Sequence, residues 1–278
     1  MTLRTNKTTR FTCAMFVAIA LSGCDSTPSM PDLSQVNIFN QTIEVSKPWQ
    51  NEPLVKGNEC NTFSYDNIAS FINTYYISSA NNTSTDDASM KTLENYLLSA
   101  VLVNRANLCL AEALELKELI SDLEEEREIL IGGTSISSSE MEKHREYSTE
   151  ASAAIKETVE GIDALTPQQR ENLTIGISTY IGGSYTFAQT YEHALKIVEE
   201  VKENSSNSAM DWLNKIPELA SKGSTLAFVY DGMYSVGESW MDTTTSLYEF
   251  SKTNDVDLPD DATSMYRDML STQEEIEE

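Results

Sequence analysis

The chain has 278 residues, with 19 Lys+Arg against 44 Asp+Glu and a formal charge of −25 at pH 7. So large an excess of carboxylates repels phosphate backbones and anionic headgroups, which argues against nucleic acid as a partner and against a basic patch as a membrane anchor. The length suffices for one large domain or two small ones.

The chain opens with a basic start (Arg4, Lys7, Arg10), an apolar run from Phe11 to Leu21 and the stretch Leu21-Ser22-Gly23-Cys24. The run is too short for a spanning helix and fits the apolar region of an export signal. A small residue before a cysteine, with polar sequence following, resembles the lipobox of bacterial lipoproteins. The resemblance covers residues 1–24 and gives an address without an activity. It implies that residues 1–23 are removed and that Cys24 becomes the acylated first residue, so the membrane is held through lipid. It also gives Asp25 a sorting role, because Asp beside the acylated cysteine withholds enterobacterial lipoproteins from transport to the outer membrane. An inner-membrane anchor with the body facing the periplasm is therefore expected.

Residues 24–59 read as a tether. Pro28, Pro31, Pro48 and Pro53 punctuate a polar stretch with little helical periodicity. A flexible segment of that length spans roughly 30–35 Å root-mean-square. Its pieces Val36–Phe39 and Thr42–Val45 are too apolar for a pure linker and are expected to lie extended on the folded domain, with a β-pair as the alternative.

From residue 60 to 278 the pattern predicts an all-α domain, an antiparallel bundle of long helices. Residues 62–79 and 88–130 read as helices on either side of the breaker-rich Asn81–Thr85. With Cys13 in the signal and Cys24 carrying lipid, Cys60 and Cys109 remain, and an oxidising compartment favours their disulfide. Geometry agrees, because the two lie equidistant from the turn of an antiparallel hairpin. Neither cysteine has the neighbours that metal or redox chemistry needs.

Ile131-Gly132-Gly133-Thr134 reads as a helix end and a turn. Ser139–Glu142 offers a capping box, and Met141, Ser148, Ala151, Ile155, Val159 and Ile162 continue as one stripe. Thr166-Pro167-Gln168-Gln169 is a second start signal. It opens a stripe that includes Leu173, Ile177, Tyr180, Ser184, Phe187 and Tyr191. Gly176 and Gly183 on that helix would allow another helix close, with a hinge at Gly182-Gly183 as the alternative. Ser208–Asp211 caps a shorter helix ending near Pro217 and Gly223. The last long stripe runs through Val229, Met233, Val236, Trp240, Thr243, Leu247 and Phe250. Heptad-like seams on several segments joined by short turns give the bundle.

No catalytic constellation survives its spacing test. The two histidines, His144 and His193, lack the Glu-x-x-His pattern of a di-iron bundle, because Met141 and Thr190 hold the Glu positions. Both read as partly exposed helix residues, with Glu140 and His144 able to pair one turn apart. Gly237-Glu238-Ser239-Trp240-Met241 is one glycine short of a nucleophile elbow. The acidic run Glu112–Glu128 reads as a solvated face. Asp255, Asp257, Asp260 and Asp261 lack the central glycine of a calcium loop. No catalytic residue, metal or cofactor is assigned. The expected function is a lipid-anchored, non-enzymatic accessory protein docking an envelope partner. The alternatives are a carrier of a small apolar ligand between the Tyr- and Trp-bearing helices, and an envelope enzyme acting through surface carboxylates.

Overall fold

The computed structural model describes residues 42–57, 60, 65–76, 85–162, 164–204 and 225–277. The signal, Cys24, Asp25 and the short helix expected near 208–223 lie outside these residues. Chain contacts separate residues 1–31 from residues 32–278, and every described residue belongs to the second unit.

The architecture is all-α. Eight helices occur among the described residues: α1 (Pro53–Lys56), α2 (Tyr65–Tyr75), α3 (Thr85–Ala113), α4 (Lys117–Ile131), α5 (Ser138–Glu160), α6 (Pro167–Asn204), α7 (Thr225–Thr253) and α8 (Asp260–Glu277). Helix α3 is the axis, with every residue from Asn95 to Ala111 buried. That stretch is covered on every side, its buried polar residues Asn95, Ser99, Asn104, Arg105 and Asn107 included, and α4, α5, α6 and α7 pack around it. Helices α3 and α6 run antiparallel along their longest shared face. A β-carbon added at Gly176 would lie 2.8 Å from the Leu110 side chain, and one at Gly183 would lie 3.1 Å from the Val103 backbone nitrogen. The missing side chains thus let the two helices approach, as the spacing of those glycines predicts. Helix α6 runs unbroken through Gly182-Gly183, whose other side receives Ile68 and Ile72 of α2.

The single helix expected over 88–130 is two helices. The chain reverses at Leu114–Leu116, with Glu115 in the left-handed region at φ 61° and the Leu116 N–H donating to the Ala111 carbonyl at 2.8 Å. No glycine or proline announces this turn. The left-handed residue costs about 1–2 kcal/mol, offset by folding Leu123 of α4 back onto Leu108 and Ala111 of α3. Cys60 and Cys109 are joined by a disulfide, with Cα atoms 5.1 Å apart.

Residues 42–57, inside the segment read as tether, are part of the folded body. Strand β1 (Thr42–Glu44) pairs antiparallel with β2 (Ser135–Ser137), setting Ile43 opposite Ile136. Beyond it Val45, Trp49, Leu54 and Val55 are buried. Lys47 secures this segment by donating to the carbonyls of Gly132 at 2.7 Å, Ser135 at 3.3 Å and Ile129 at 3.5 Å. A cation at the C-terminal end of α4 also meets the negative pole of the helix dipole. Burial pushes the Lys47 pKa down, and the charge of Glu140 opposes that. The turn it fastens needs Gly133, whose φ of 58° suits a residue without a side chain.

Two predicted helix starts are present, one displaced. At α6, Gln169 N–H donates to Thr166 Oγ1 at 3.2 Å while Thr166 N–H donates to Gln169 Oε1 at 3.0 Å, with Pro167 in the first helical position. At α5 the box is Ser137 with Glu140 instead of a start at Ser139, because Ser137 still belongs to β2 and its extended backbone supplies the cap.

Candidate functional site

A buried polar relay crosses the bundle. Its centre is His144 of α5, wholly buried and not a partly exposed residue as the sequence suggested. Its Nδ1 lies 2.7 Å from Glu126 Oε1 on α4, and its Nε2 lies 3.0 Å from the Tyr96 hydroxyl on α3. An imidazole protonated on Nδ1 donates to the carboxylate and accepts from the phenol, so each polar atom of the ring is used. Glu126 also accepts from Asn104 Nδ2 at 2.7 Å, and the same amide nitrogen donates to the Leu123 carbonyl at 2.9 Å. Glu140, the expected partner of His144, is committed to the α5 cap. Glu126 is the exception in its acidic run: Glu124 and Glu125 face solvent while Glu126 is sealed.

The relay is bordered by aromatic rings and by further polar pairs that sew the same helices together. Trp240 of α7 donates from Nε1 to Ser148 Oγ at 2.9 Å, and its ring meets His144 edge-on at 6.2 Å. Thr244 of α7 donates to Ser184 Oγ of α6 at 2.8 Å, and Ser152 Oγ lies 2.8 Å from the Tyr180 hydroxyl. Burial pushes the Tyr180 pKa up, partly countered by hydrogen bonds from Ser152 and Thr243. Tyr96, Glu126 and His144 are each 0% exposed, so the relay offers no atom to a solute and acts as a structural clamp between α3, α4 and α5.

Above this layer a groove opens between α6, α7 and α8, with a volume of about 440 Å³. Met233, Gly237, Met241 and Thr245 form a row at four-residue spacing along α7, facing Phe187, Ala188 and Tyr191 of α6. Gln273 of α8 closes one side. Gly237 is required here for packing: a β-carbon would meet Phe187 ring atoms at 2.7 and 2.9 Å. The Phe187 ring joins the groove to the relay, lying 5.3 Å from Trp240 and 6.5 Å from Tyr96. On the rim stand Glu238 and Asp242, both exposed, with Asp242 paired to Lys156 of α5. Volume and apolar lining suit a small ligand. The residues that line it include two carboxylates, Glu238 and Asp242, both on the rim.

A second cavity of about 500 Å³, bounded by Gln50, Asn51, Lys56, Arg127 and Glu128, is polar. Its cations are engaged, Lys56 donating to Asn51 Oδ1 at 2.8 Å and Arg127 to the Gly57 carbonyl at 3.2 Å.

The structure brings together Cys60 with Cys109, and sets the predicted stripe residues Phe187 and Tyr191 on the groove. Cys24 and Asp25 lie outside the described residues. The aspartates weighed for calcium serve other ends, Asp255 in a left-handed turn after α7 and Asp260 and Asp261 in the first turn of α8. Among the described residues no group of three or more His, Cys, Asp or Glu is placed to hold a metal ion, and no helix is long and apolar enough to cross a membrane. Sequence reasoning missed the relay, although it leaves a trace. His144 falls in the Met141–Ser148–Ala151 stripe, and Glu126 follows Leu119 and Leu123 on the apolar seam of α4. No known protein family, no curated protein and no solved structure matches the chain.

Proposed function

We propose that the chain is a lipid-anchored accessory protein of the bacterial envelope, facing the periplasm from the inner membrane and docking a protein partner without catalysing a reaction. The observation that carries this reading is Leu21-Ser22-Gly23-Cys24 after its basic start and apolar run, with Asp25 following. The Cys60–Cys109 disulfide supports an oxidising compartment. The sealed relay supports a rigid scaffold, since its titratable groups meet no solute. Because residues 42–57 are folded, at most the 17 residues between Cys24 and Thr42 are left to join the anchor to the body, fewer than the tether read from the sequence. The body is thus expected to work close to its membrane.

Fractionation on a sucrose gradient tests the address. The wild-type chain should travel with inner-membrane markers, and Asp25→Ser should shift it outward. Cross-linking in intact cells should trap a defined envelope protein, lost on Cys24→Ala. Wild-type protein in the outer-membrane fraction would overturn the sorting assignment, and attachment that survives Cys24→Ala would overturn the anchor.

The groove over Phe187 favours a second reading, carriage of a small apolar ligand between the helices. Co-purification of a ligand in native mass spectrometry, displaced when Met241→Trp fills the groove, would support it. A ligand-free body at every expression condition would remove it.

A further inference from the structure

The groove differs from an ordinary gap between helices in the arrangement of its charge. Its floor and walls are apolar and aromatic, from Phe187, Tyr191, Met233 and Met241. On its rim Glu238 and Asp242 stand on α7 beside the Gly237–Met241 row. Asp242 is balanced by Lys156, whereas Glu238 makes no ion pair with a described residue. Phe187 and Tyr191 stack with centroids 6.1 Å apart, and the pair lines the same groove as that carboxylate. An aromatic wall beside an unpaired carboxylate is the surrounding that a quaternary or protonated amine prefers, through attraction to the ring faces and to the negative rim. The partly exposed Met241 on the opposite side fits an alkyl chain of variable shape. The chain, at −25 overall and with three of its bases in residues 1–23, draws such a cation from solution and rejects an anionic equivalent.

We infer that the groove between α6, α7 and α8 is a binding site for a single-chain cationic amphiphile, its tail over Phe187 between Tyr191 and Met241 and its ammonium head at Glu238. The inference rests on the ligand-carrying reading and is independent of the lipid anchor. A probe of 16 heavy atoms at the efficiency of drug-sized ligands gives a dissociation constant of about 0.1–1 mM.

The experiment is calorimetric titration of residues 25–278, which contain the whole folded unit, with dodecyltrimethylammonium held below its micelle concentration. Dodecyl maltoside and dodecyl sulfate provide neutral and anionic heads on the same tail. We expect one-to-one binding of the cation, about tenfold tighter than the maltoside, and no saturable binding of the sulfate. Glu238→Gln should reduce the preference for the cation about three- to fivefold. Met241→Trp, at a half-exposed position, should abolish binding of both the cation and the maltoside. The remote pair Glu118→Gln/Asp122→Asn on exposed α4 removes two charges without touching the groove and should leave the affinity unchanged.

Equal affinity for cation and maltoside, or an unchanged preference in Glu238→Gln, would overturn the assignment of the head site. A loss in the α4 variant equal to that in Glu238→Gln would reduce the effect to overall charge. Maltoside binding that Met241→Trp abolishes, without preference for the cation, would preserve the apolar-carrier reading while defeating this one; no binding of any probe would defeat both. A basic amphipathic peptide that displaces the probe and binds more tightly would make the groove a helix-docking surface and overturn the small-ligand assignment.

Discussion

Removing one end of the Glu126–His144 pair should be among the most damaging single changes available to this fold. Glu126→Ala leaves His144 Nδ1–H without an acceptor in a site that is 0% exposed, and takes from Asn104 one of the two acceptors it now serves. It also opens a cavity among α3, α4 and α5. Breaking a buried pair from one side costs about 3–5 kcal/mol. His144→Ala should cost a similar amount, because the Tyr96 hydroxyl and one Glu126 oxygen both lose their partner. The double variant Glu126→Leu/His144→Leu removes the polar atoms together and refills the space. It should therefore be less destabilised than either alanine variant, by about 2 kcal/mol. Urea unfolding of residues 25–278, followed by circular dichroism, measures this directly. With a slope of about 2–3 kcal/mol/M for a body of this size, the single variants should lower the midpoint by about 1–2 M at unchanged slope. An alanine variant within about 1 kcal/mol of wild type would refute the clamp, as would a double variant worse than the sum of the singles.

Reduction of Cys60–Cys109, whose partners are 49 residues apart, should cost about 4 kcal/mol in the chain-entropy account, less any strain. Differential scanning calorimetry should accordingly show a melting temperature lower by roughly 8–16 °C, and an unchanged value would contradict a stabilising role. Gly183→Ala sets a methyl group 3.1 Å from the Val103 backbone nitrogen and 2.8 Å from its Cγ2, an overpacking that should cost about 1–3 kcal/mol in the same urea assay; a neutral or stabilising result would mean that α3 and α6 have slack between them. The alkaline limb of stability follows from Tyr180. Burial raises its pKa above the ordinary 10.0, so above that pH the unfolded chain loses a proton that the folded chain keeps, and stability falls as pH rises. Absorbance near 295 nm should show Tyr180 titrating only with unfolding, and a phenolate formed in the folded protein would contradict its burial.

Most of the architecture could be read from periodicity. The stripes of α5, α6 and α7 repeat every three and four residues, and their described members are buried as that spacing requires, apart from the partly buried Ile162 and Tyr191. Pro167 with Gln169, and Gly176 with Gly183, were legible because each performs a local task that few other residues can. The reversal at Glu115 was not, since Ala113-Leu114-Glu115-Leu116-Lys117 consists of good helix formers and the turn is imposed by packing of Leu123. The relay was illegible for a related reason. Glu126, His144 and Tyr96 are far apart in sequence, and each alone resembles a surface or core residue. Only the antiparallel return of α4 and α5 past α3 brings the carboxylate, imidazole and phenol together. The groove has the same origin: Phe187 reads as a core residue of one helix, and it comes to line the groove where Gly237 of α7 withholds a side chain.

The central claim, a lipid-anchored protein, is tested most directly at Cys24 itself. Mass spectrometry of the N-terminal peptide from membranes of expressing cells should find a chain that begins at Cys24 and carries acyl groups. The same peptide from Cys24→Ala cells should carry no lipid. A mature chain that begins elsewhere, or one whose Cys24 bears a free thiol while the protein remains on the membrane, would contradict the account.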